Sequence, residues 1–333
     1  MYFPSHSPAF RKLLDGLRGT RSGPIAVLGH MRPDGDCIGS QVALTRVLRA
    51  LGVDAVAVNQ DPVPRLLAEF VGDTLWQRSV DYAPAPGAAA ICVDCADLLR
   101  IGPRLREFFP KPFMAVDHHV SNDGFAGHNF VLAETSATAE VLAGFFFDTD
   151  LPVDAVTAQA LYLGIATDTG QFRFPSTSSQ VFRICAQLMA CGADPGAAAR
   201  KLYERESLGK TRLLQVFLNS LRGEFNGRVY VGFLRESDFT ATGASREDTE
   251  GLVDYARAIE GVDVGVLLEE RNGAVKGSLR AKDPRFALHR LAQRFGGGGH
   301  ACAAGFNCNE PLAQFTPRFL AALGEQLATA DQK

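Results

Sequence analysis

Histidine and aspartate residues gather just after the first apolar run of the chain. His30, Asp34 and Asp36 lie in a segment that Pro33 and Gly35 prevent from forming a regular helix, so it reads as a loop at the end of a strand. Imidazole nitrogens and carboxylate oxygens are ligands for divalent cations of borderline or hard character. The segment therefore favours a metal site, and the alternative is a polar turn in which Asp36 caps the next helix.

The same residue types follow other elements further along the chain. Asp94 ends a second apolar run, an Asp-His-His sequence at 117–119 ends a third, and Asp168 lies near the end of a helical segment. A charge beside a buried strand, or a carboxylate at a helix C-terminus, is more stable next to a cation. The set suits two ions that share a carboxylate better than one four-coordinate zinc. Its members are His30, Asp34, Asp36, Asp94, His118 and Asp168.

Two neighbouring histidines, His118 and His119, end the third run. Successive side chains of a strand face opposite sides, so we expect the two imidazoles to point in different directions. One of them would bind a metal ion, and the other would face the substrate.

Strand-like and helical segments alternate over the first 200 residues. Buried runs at 24–29, 53–59, 88–93 and 113–116 are interspersed with helical patterns at 37–50, 136–147 and 155–167. This alternation predicts an α/β fold with a doubly wound, mostly parallel sheet. Ligands bind such sheets at the carboxyl ends of the strands, which is where the candidate residues stand.

The pattern changes after Pro195. A helical segment at 197–221 comes first. Strand-like runs follow at 228–234, 262–269 and 274–281, and helical patterns lie at 249–259 and 284–295. We expect a catalytic, metal-binding domain over 1–200, a helical linker over 201–224 and a smaller α/β substrate-binding domain over 225–330.

Four motifs, in this order, resemble those of the DHH family of phosphoesterases. They are His30-x3-Asp34-x-Asp36-x2-Gly39-Ser40, Asp94, Asp117-His118-His119 and Thr167-Asp168-Thr169-Gly170. The resemblance implies two Mn²⁺ ions, one held by His30, Asp34 and Asp94 and the other by Asp36, Asp94, His118 and Asp168. Asp94 would bridge the ions, and His119, supported by Asp117, would orient the substrate or help protonate the leaving oxygen.

The glycine run at 296–299 gives a second candidate site. Backbone N–H groups of Gly298 and Gly299 could form an anion-binding concavity, and His300 could add a donor. Along the run at 274–281, alternation places Ser278 and Arg280 on one face, together with a lysine. Both segments look like the family's substrate-binding domain, where such residues hold nucleotide phosphates and sugars.

Arg173 follows the Asp168 motif and lies between two phenylalanines. The guanidinium could reach a phosphate, and a neighbouring aromatic ring could stack on a base. Core packing is the alternative for the two rings.

The resemblance implies hydrolysis of a phosphoester by a water activated between two metal ions. The substrates it implies are oligoribonucleotides of a few nucleotides, 3′-phosphoadenosine 5′-phosphate (pAp), or both; a cyclic or linear dinucleotide is the alternative. An inorganic pyrophosphatase fits less well, because the basic motif near the end of those chains is replaced here by Gly296–His300. A nucleotide-binding regulator without activity would have lost ligands, whereas all six are present.

Composition limits the partners. The 333 residues include 37 acids and 34 bases, and this balance lacks the basic excess with which proteins grip long nucleic acids. Apolar runs are far shorter than the roughly 20 residues that a membrane span needs, and residues 1–10 lack the apolar segment of a secretory signal. We therefore expect a cytoplasmic protein that binds short RNA or a nucleoside bisphosphate and no membrane, with a homodimer left open.

Overall fold

The computed structural model describes residues 1–18 and 23–332 and divides the chain into two units, Met1–Glu204 and Arg205–Lys333. The predicted α/β class is confirmed: the first unit contains an all-parallel six-stranded sheet, and the second contains a mixed six-stranded sheet. Along the described residues, no helix is both long enough and apolar enough to cross a membrane.

Strands of the first unit come from short apolar runs with buried residues. They are β1 (Ile25–Leu28), β2 (Ala55–Asn59), β3 (Trp76–Arg78), β4 (Ala89–Val93), β5 (Met114–Asp117) and β6 (His128–Val131). The helices are α1 (Ser7–Leu17), α2 (Gly35–Ala50), α3 (Ala68–Val71), α4 (Pro103–Phe108), α5 (Thr138–Asp148), α6 (Ala155–Asp168), α7 (Ser179–Ala190) and α8 (Pro195–Tyr203). Sequence patterning missed β3, β6, α1 and α7.

Both faces of the first sheet are covered, which explains why β1 and β4 are apolar throughout and β5 is apolar up to its last residue, Asp117. On one face, Val27 and Ile91 join the larger cluster with Phe145 from α5. On the other face, Leu28 packs in a smaller cluster that includes Leu105 from α4. Two apolar layers therefore hold the strands rigidly and fix the positions of their ends.

The strand order β3-β2-β1-β4-β5-β6 reverses direction between β1 and β4. Loops that leave two such strands diverge to opposite faces of the sheet and open a crevice at its carboxyl edge. Residues that follow β1, β4 and β5 therefore surround one crevice, and α2 begins beside it at Gly35.

The second unit contains β7 (Arg222–Glu224), β8 (Val229–Leu234), β9 (Val264–Arg271), β10 (Ala274–Ala281), β11 (Gly298–Gly299) and β12 (Ala303–Cys308). Its helices are α9 (Leu208–Ser220), α10 (Glu236–Thr242), α11 (Leu252–Ala258), α12 (Leu288–Gln293) and α13 (Leu312–Asp331). The strand order is β11-β12-β10-β9-β8-β7, with β8 and β9 parallel and the other pairs antiparallel. Phe315 and Phe319 of α13 pack in one apolar cluster of this unit, and Phe217 of α9 packs in another.

Two predicted helices are wrong in their extent. The segment at 197–221 forms two helices, α8 and α9, because Ser207 lies in an extended conformation and its Oγ accepts the Lys210 N–H as the N-cap of α9. The predicted helix at 284–295 is likewise a 3₁₀ turn at Pro284–Phe286 followed by α12, since Ala287 between them adopts a left-handed conformation.

Candidate active site

His30 follows β1 and is only 3% exposed. Its Nδ1 donates to the carbonyl of Met31 at 2.8 Å, which directs Nε2 into the crevice. Nε2 lies 3.6 Å from Asp34 Oδ1 and 3.4 Å from Asp94 Oδ2. Asp34 is the N-cap of α2 and accepts the Cys37 N–H at 3.1 Å, so the start of that helix fixes its carboxylate.

Asp36 is fully buried in the first turn of α2. Its Oδ2 accepts the backbone N–H of Thr138 at 2.6 Å, and its Oδ1 accepts that of Ala139 at 2.8 Å. The N-terminus of α5, whose first N–H groups lack partners within the helix, therefore holds this carboxylate. The Thr138 hydroxyl in turn donates to Asp94 Oδ1 at 3.1 Å.

Asp94 follows β4 with a φ of 57°, a left-handed conformation that aspartate tolerates better than most residues. This conformation occurs where the residue enters the crevice, as expected of local strain at a functional site.

Asp117 is the last residue of β5, fully buried, and it orients His119. Its Oδ1 accepts from His119 Nδ1 at 2.8 Å and from the His118 N–H at 2.9 Å, and its Oδ2 accepts from Asn122 Nδ2 at 2.7 Å. Nε2 of His119 is therefore left for a ligand.

The expectation that the two histidines face opposite ways is wrong. Because β5 ends at Asp117, His118 and His119 lie in the loop beyond the strand, where side chains need not alternate. Their ring centroids are 4.7 Å apart, and both rings approach Asp94 Oδ1, at 3.6 Å from His118 Nε2 and 3.7 Å from His119 Nδ1.

His118 connects the remaining ligand candidates. Its Nε2 lies 3.9 Å from Asp36 Oδ2 and 3.3 Å from Asp168 Oδ2, at the end of α6. Together with the His30 contacts, these distances link all six predicted ligands through Asp94. Two donors that each stand roughly 2.1 Å from a shared ion are separated by about 3 to 4 Å, so the donor set fits divalent cations.

Burial and mutual proximity perturb the ionisation of the cluster. Burial raises the pKa of Asp36 well above its usual range, and the neighbouring Asp94 raises it further. Burial disfavours the charged form of His118, but Asp168 and Asp36 outweigh it and raise the pKa to about 10. Burial also opposes charge on His30, yet Asp34 and Asp94 raise its pKa. The carboxylates thus favour positive charge between them, and a cation bound there would compete with protons for the imidazoles.

Arg173 lies on the turn that follows Asp168. It is exposed, and its Nε donates to the carbonyl of Gly170 at 2.7 Å.

In the second unit, Ser278, Arg280, Gly298 and Gly299 line a cavity of about 410 Å³, together with Lys276. The predicted alternation along β10 is confirmed, because Lys276, Ser278 and Arg280 are partly exposed on one face while the residues between them are buried. Glu250 also lines this cavity, but two cationic side chains and a hydroxyl against one carboxylate still suit an anionic ligand.

Three N–H groups around the predicted anion-binding concavity already have partners, because those of Gly296, Gly297 and His300 donate to backbone carbonyls at 2.7–3.1 Å. Gly298 and Gly299 form β11 and line the cavity, whereas His300 is absent from the residues that line it. Glycine at 297 is required by space, since a Cβ there would come within 2.1 Å of the Gly305 carbonyl oxygen.

Sequence reasoning missed Thr138, Asn122 and Cys37. The thiol of Cys37 lies within 4.8 Å of ligand atoms of both His30 and Asp94. Thr138 opens an apolar helix and carries no motif, and its hydrogen-bond partners lie 44 and 102 residues away in the chain. The one sequence feature that could have indicated the role of Thr138 is its place at the start of a predicted helix.

Known proteins resemble this chain over most of its length. Residues 24–165 match the model of the DHH family, N-terminal domain, and residues 226–329 match the DHHA1 domain. A Thermus thermophilus protein named bifunctional oligoribonuclease and PAP phosphatase NrnA is 33% identical over 310 residues, covering 92% of this chain and 91% of the relative. A Bacillus subtilis protein of the same name is 26% identical, covering 83% of this chain and 86% of the relative.

Among solved structures, an exopolyphosphatase-related protein from Bacteroides fragilis superposes with a TM-score of 0.85 at 24% identity. The match covers 98% of each chain and shows a common fold.

Proposed function

The chain belongs to the DHH family of phosphoesterases, and on this basis we propose that it hydrolyses short oligoribonucleotides and pAp with two divalent ions, Mn²⁺ in particular. The family makes the chain a metal-dependent hydrolase of phosphoester bonds. The choice of substrates is supported by the names of the Thermus and Bacillus relatives, which cover most of this chain.

The observation that carries the proposal is the six-ligand cluster that shares Asp94. His30 and Asp34 lie on one side of this carboxylate, and His118 lies on the other. Two ions bound there would supply the Lewis acidity that activates a water nucleophile and neutralises charge on the phosphoryl oxygens. The candidate ligands lie at the ends of β1, β4, β5 and α6 and at the start of α2, so little reorganisation would be needed to bind the ions.

His119 is the proton donor that we propose for the leaving oxygen. Its hydrogen bond to Asp117 raises the pKa of the imidazole, although burial acts in the opposite direction. A protonated His119 with Nδ1 fixed by Asp117 can present Nε2–H to a substrate oxygen.

The basic face of β10 is our proposed site for a substrate phosphate. Arg280 and Lys276 supply charge, and Ser278 supplies a hydroxyl on the same face. Gly298 and Gly299 line the same cavity and allow a ligand to approach the backbone closely. His300 and Arg173 stay in the proposal as further donors, although His300 lies outside the cavity lining.

We further propose the division of labour expected from the sequence. Residues 1–200 would carry out catalysis, 225–330 would bind substrate, and 201–224 would connect them. We also propose a cytoplasmic location, and light scattering coupled to gel filtration will decide between a monomer and a homodimer.

The test is a hydrolysis panel with Mn²⁺, Mg²⁺ or EDTA. Its substrates are pAp, pApA, a five-nucleotide RNA, a twenty-nucleotide RNA, cyclic di-AMP and pyrophosphate. We expect rapid, EDTA-sensitive release of mononucleotides from the short RNAs and of AMP from pAp, and slow turnover of the long RNA. Cleavage of pyrophosphate alone, or of cyclic di-AMP in strong preference to pAp and pApA, would contradict the proposed substrates.

A further inference from the structure

The turn that follows Asp168 has an unusual backbone. Gly170, Gln171 and Phe172 are three successive residues with left-handed φ angles of 55°, 62° and 63°. Glycine adopts this conformation freely, but the two other residues are strained in it. Such strain persists only where the surroundings enforce it, and it concentrates at sites that contact ligands.

Thr169 enforces the turn from the end of α6. Its carbonyl accepts the N–H groups of Arg173 and Phe174, both at 3.0 Å, and its Oγ1 accepts the Phe172 N–H at 3.0 Å. The Gln171 N–H donates to the carbonyl of Ala166 at 2.8 Å. Because Thr169 directly follows Asp168, these bonds tie the turn to a candidate metal ligand.

The two phenylalanines of this turn have different environments. The ring of Phe172 packs between Tyr162 and Phe182, with ring centroids 6.0 and 5.5 Å away, as core packing predicts. Phe174 is 53% exposed, and its ring edge lies against Gly170, where an added Cβ would come within 2.4 Å of Phe174 Cζ. A single exposed aromatic residue is ordinary, but a strained turn that holds one beside a metal ligand is not.

We propose that Phe174 is a stacking platform for a nucleobase of the substrate. This inference rests on the proposed function, because it assigns to the same site a nucleotide as the substrate class. Every base has a π face, so an exposed aromatic ring binds bases with little sequence preference. Arg173, whose Nε is fixed on the Gly170 carbonyl, adds a cation beside the ring for the adjoining phosphate.

The test compares pApA with an abasic counterpart in which both bases are missing. We expect Phe174→Ala to raise KM for pApA by roughly tenfold or more, the range that stacking on one aromatic ring provides. Its kcat/KM for the abasic compound should stay within about twofold of wild type, because no base is lost from that complex. Phe174→Trp, which retains an aromatic face, should bind pApA as well as wild type does.

Phe182→Ala is the matched control. Phe182 is 56% exposed and its ring stacks on Phe172 of the same turn, so this variant removes an equally exposed ring and loosens the turn without touching Phe174. An equal effect of the two alanine variants on pApA, or an equal effect of Phe174→Ala on pApA and the abasic compound, would overturn the platform.

Binding measurements separate this inference from the proposed function. Titration calorimetry with pApA is done on Asp94→Asn protein with and without Phe174→Ala, so that no turnover is needed. If wild type hydrolyses none of the panel, the proposed function fails, whereas the platform fails only if Phe174→Ala leaves pApA binding unchanged. Loss of binding on Phe174→Ala, with or without hydrolysis by wild type, supports it.

Discussion

The acid and histidine cluster of the first unit, with its buried central carboxylates, and the basic face of β10 in the second unit use charge in opposite ways. Asp36 and Asp94 are at most 2% exposed, whereas Lys276 and Arg280 remain in contact with water. A buried carboxylate has lost most of its hydration and gains much from a nearby cation, while an exposed arginine gains less from an anion that water already screens. Burial, rather than the number of charges, separates a site that must hold ions from one that assists binding.

This contrast also separates rate from affinity. Groups that would hold the ions would act on the reacting atoms, so their loss should lower kcat. Groups that would hold a remote phosphate would contribute equally to the ground state and the transition state, so their loss should raise KM.

Asp94→Asn gives the largest expected effect. Asparagine keeps the shape of the side chain and tolerates the left-handed backbone at this position, but it removes the charge that both ligand groups share. We expect kcat for pApA to fall on the order of 10³-fold or more. The measurement is steady-state hydrolysis at saturating Mn²⁺, with circular dichroism to verify the fold.

A partly exposed aspartate of the same unit is the control for this prediction. Asp61→Asn removes a carboxylate that accepts the Arg32 N–H at 2.7 Å but belongs to no ligand group, and its turnover should stay near that of wild type. Asp94→Asn protein that retained turnover within tenfold of wild type would remove the basis for the shared carboxylate.

The position of the acid and histidine cluster was predictable, because its residues come directly after strands in the sequence. Each of His30, Asp94 and the Asp-His-His segment comes directly after an apolar run, and parallel strands bring such residues to one edge of the sheet. The partners of Thr138 were not predictable, since they depend on how α5 packs against α2 and β4. The directions of His118 and His119 depend on the exact end of β5, which apolar patterning does not fix.

The basic face of β10 and the neighbouring glycine run were less predictable. Alternation along β10 placed Lys276, Ser278 and Arg280 on one face, because a strand has a period of two. The glycine run was harder to interpret, since glycine serves equally for open N–H groups and for close packing. In this chain Gly297 serves packing, and the hydrogen bonds that decide this come from α12 and β12.

Arg280→Ala tests the proposed phosphate site on the basic face of β10. Loss of one guanidinium from a partly exposed cavity should raise KM for pApA roughly tenfold, with kcat changed by less than about threefold. Initial rates over a range of pApA concentrations separate the two constants. Arg212→Ala, which removes an exposed arginine from α9, is the matched control. A fall in kcat without a change in KM would erase the distinction between the two regions.

Thr138→Val asks whether the helix N-terminus beside the cluster positions its ligands. The substitution removes the hydroxyl that donates to Asp94 but keeps the backbone N–H that donates to Asp36. Loss of such a supporting bond typically costs metal affinity about tenfold or more, and we expect a weakening of about that size for Mn²⁺. Calorimetric titration with Mn²⁺ measures it.

Thr135→Val is the control for Thr138→Val. The Thr135 hydroxyl donates to the Leu132 carbonyl and touches no ligand candidate. Thr138→Ser, which restores a hydroxyl, should recover the affinity. Equal Mn²⁺ affinities for Thr138→Val and wild type would show that the Thr138 hydroxyl does not help to position Asp94.

Asp154→Asn gives the smallest expected effect and tests charge without burial. Asp154 is 54% exposed, pairs with Arg46 of α2, and caps α6 by accepting the Thr157 N–H. Asparagine keeps the cap, so the variant isolates the ion pair, and we expect a loss of less than about 1 kcal/mol of unfolding free energy at pH 7.

The pH dependence of this loss follows from the pKa of Asp154. The hydrogen bond to Arg46 lowers the pKa from 3.8 to about 2, so the ionised carboxylate stabilises the folded state fully only above pH 3.8. The difference between wild type and Asp154→Asn should therefore be constant above about pH 5 and shrink as the pH falls through 3.8 towards 2. Urea unfolding in EDTA, followed by the fluorescence of Trp76 in the first unit, measures it. A loss of several kcal/mol would show that an exposed pair can matter as much as the buried cluster, and burial would then no longer distinguish the two regions.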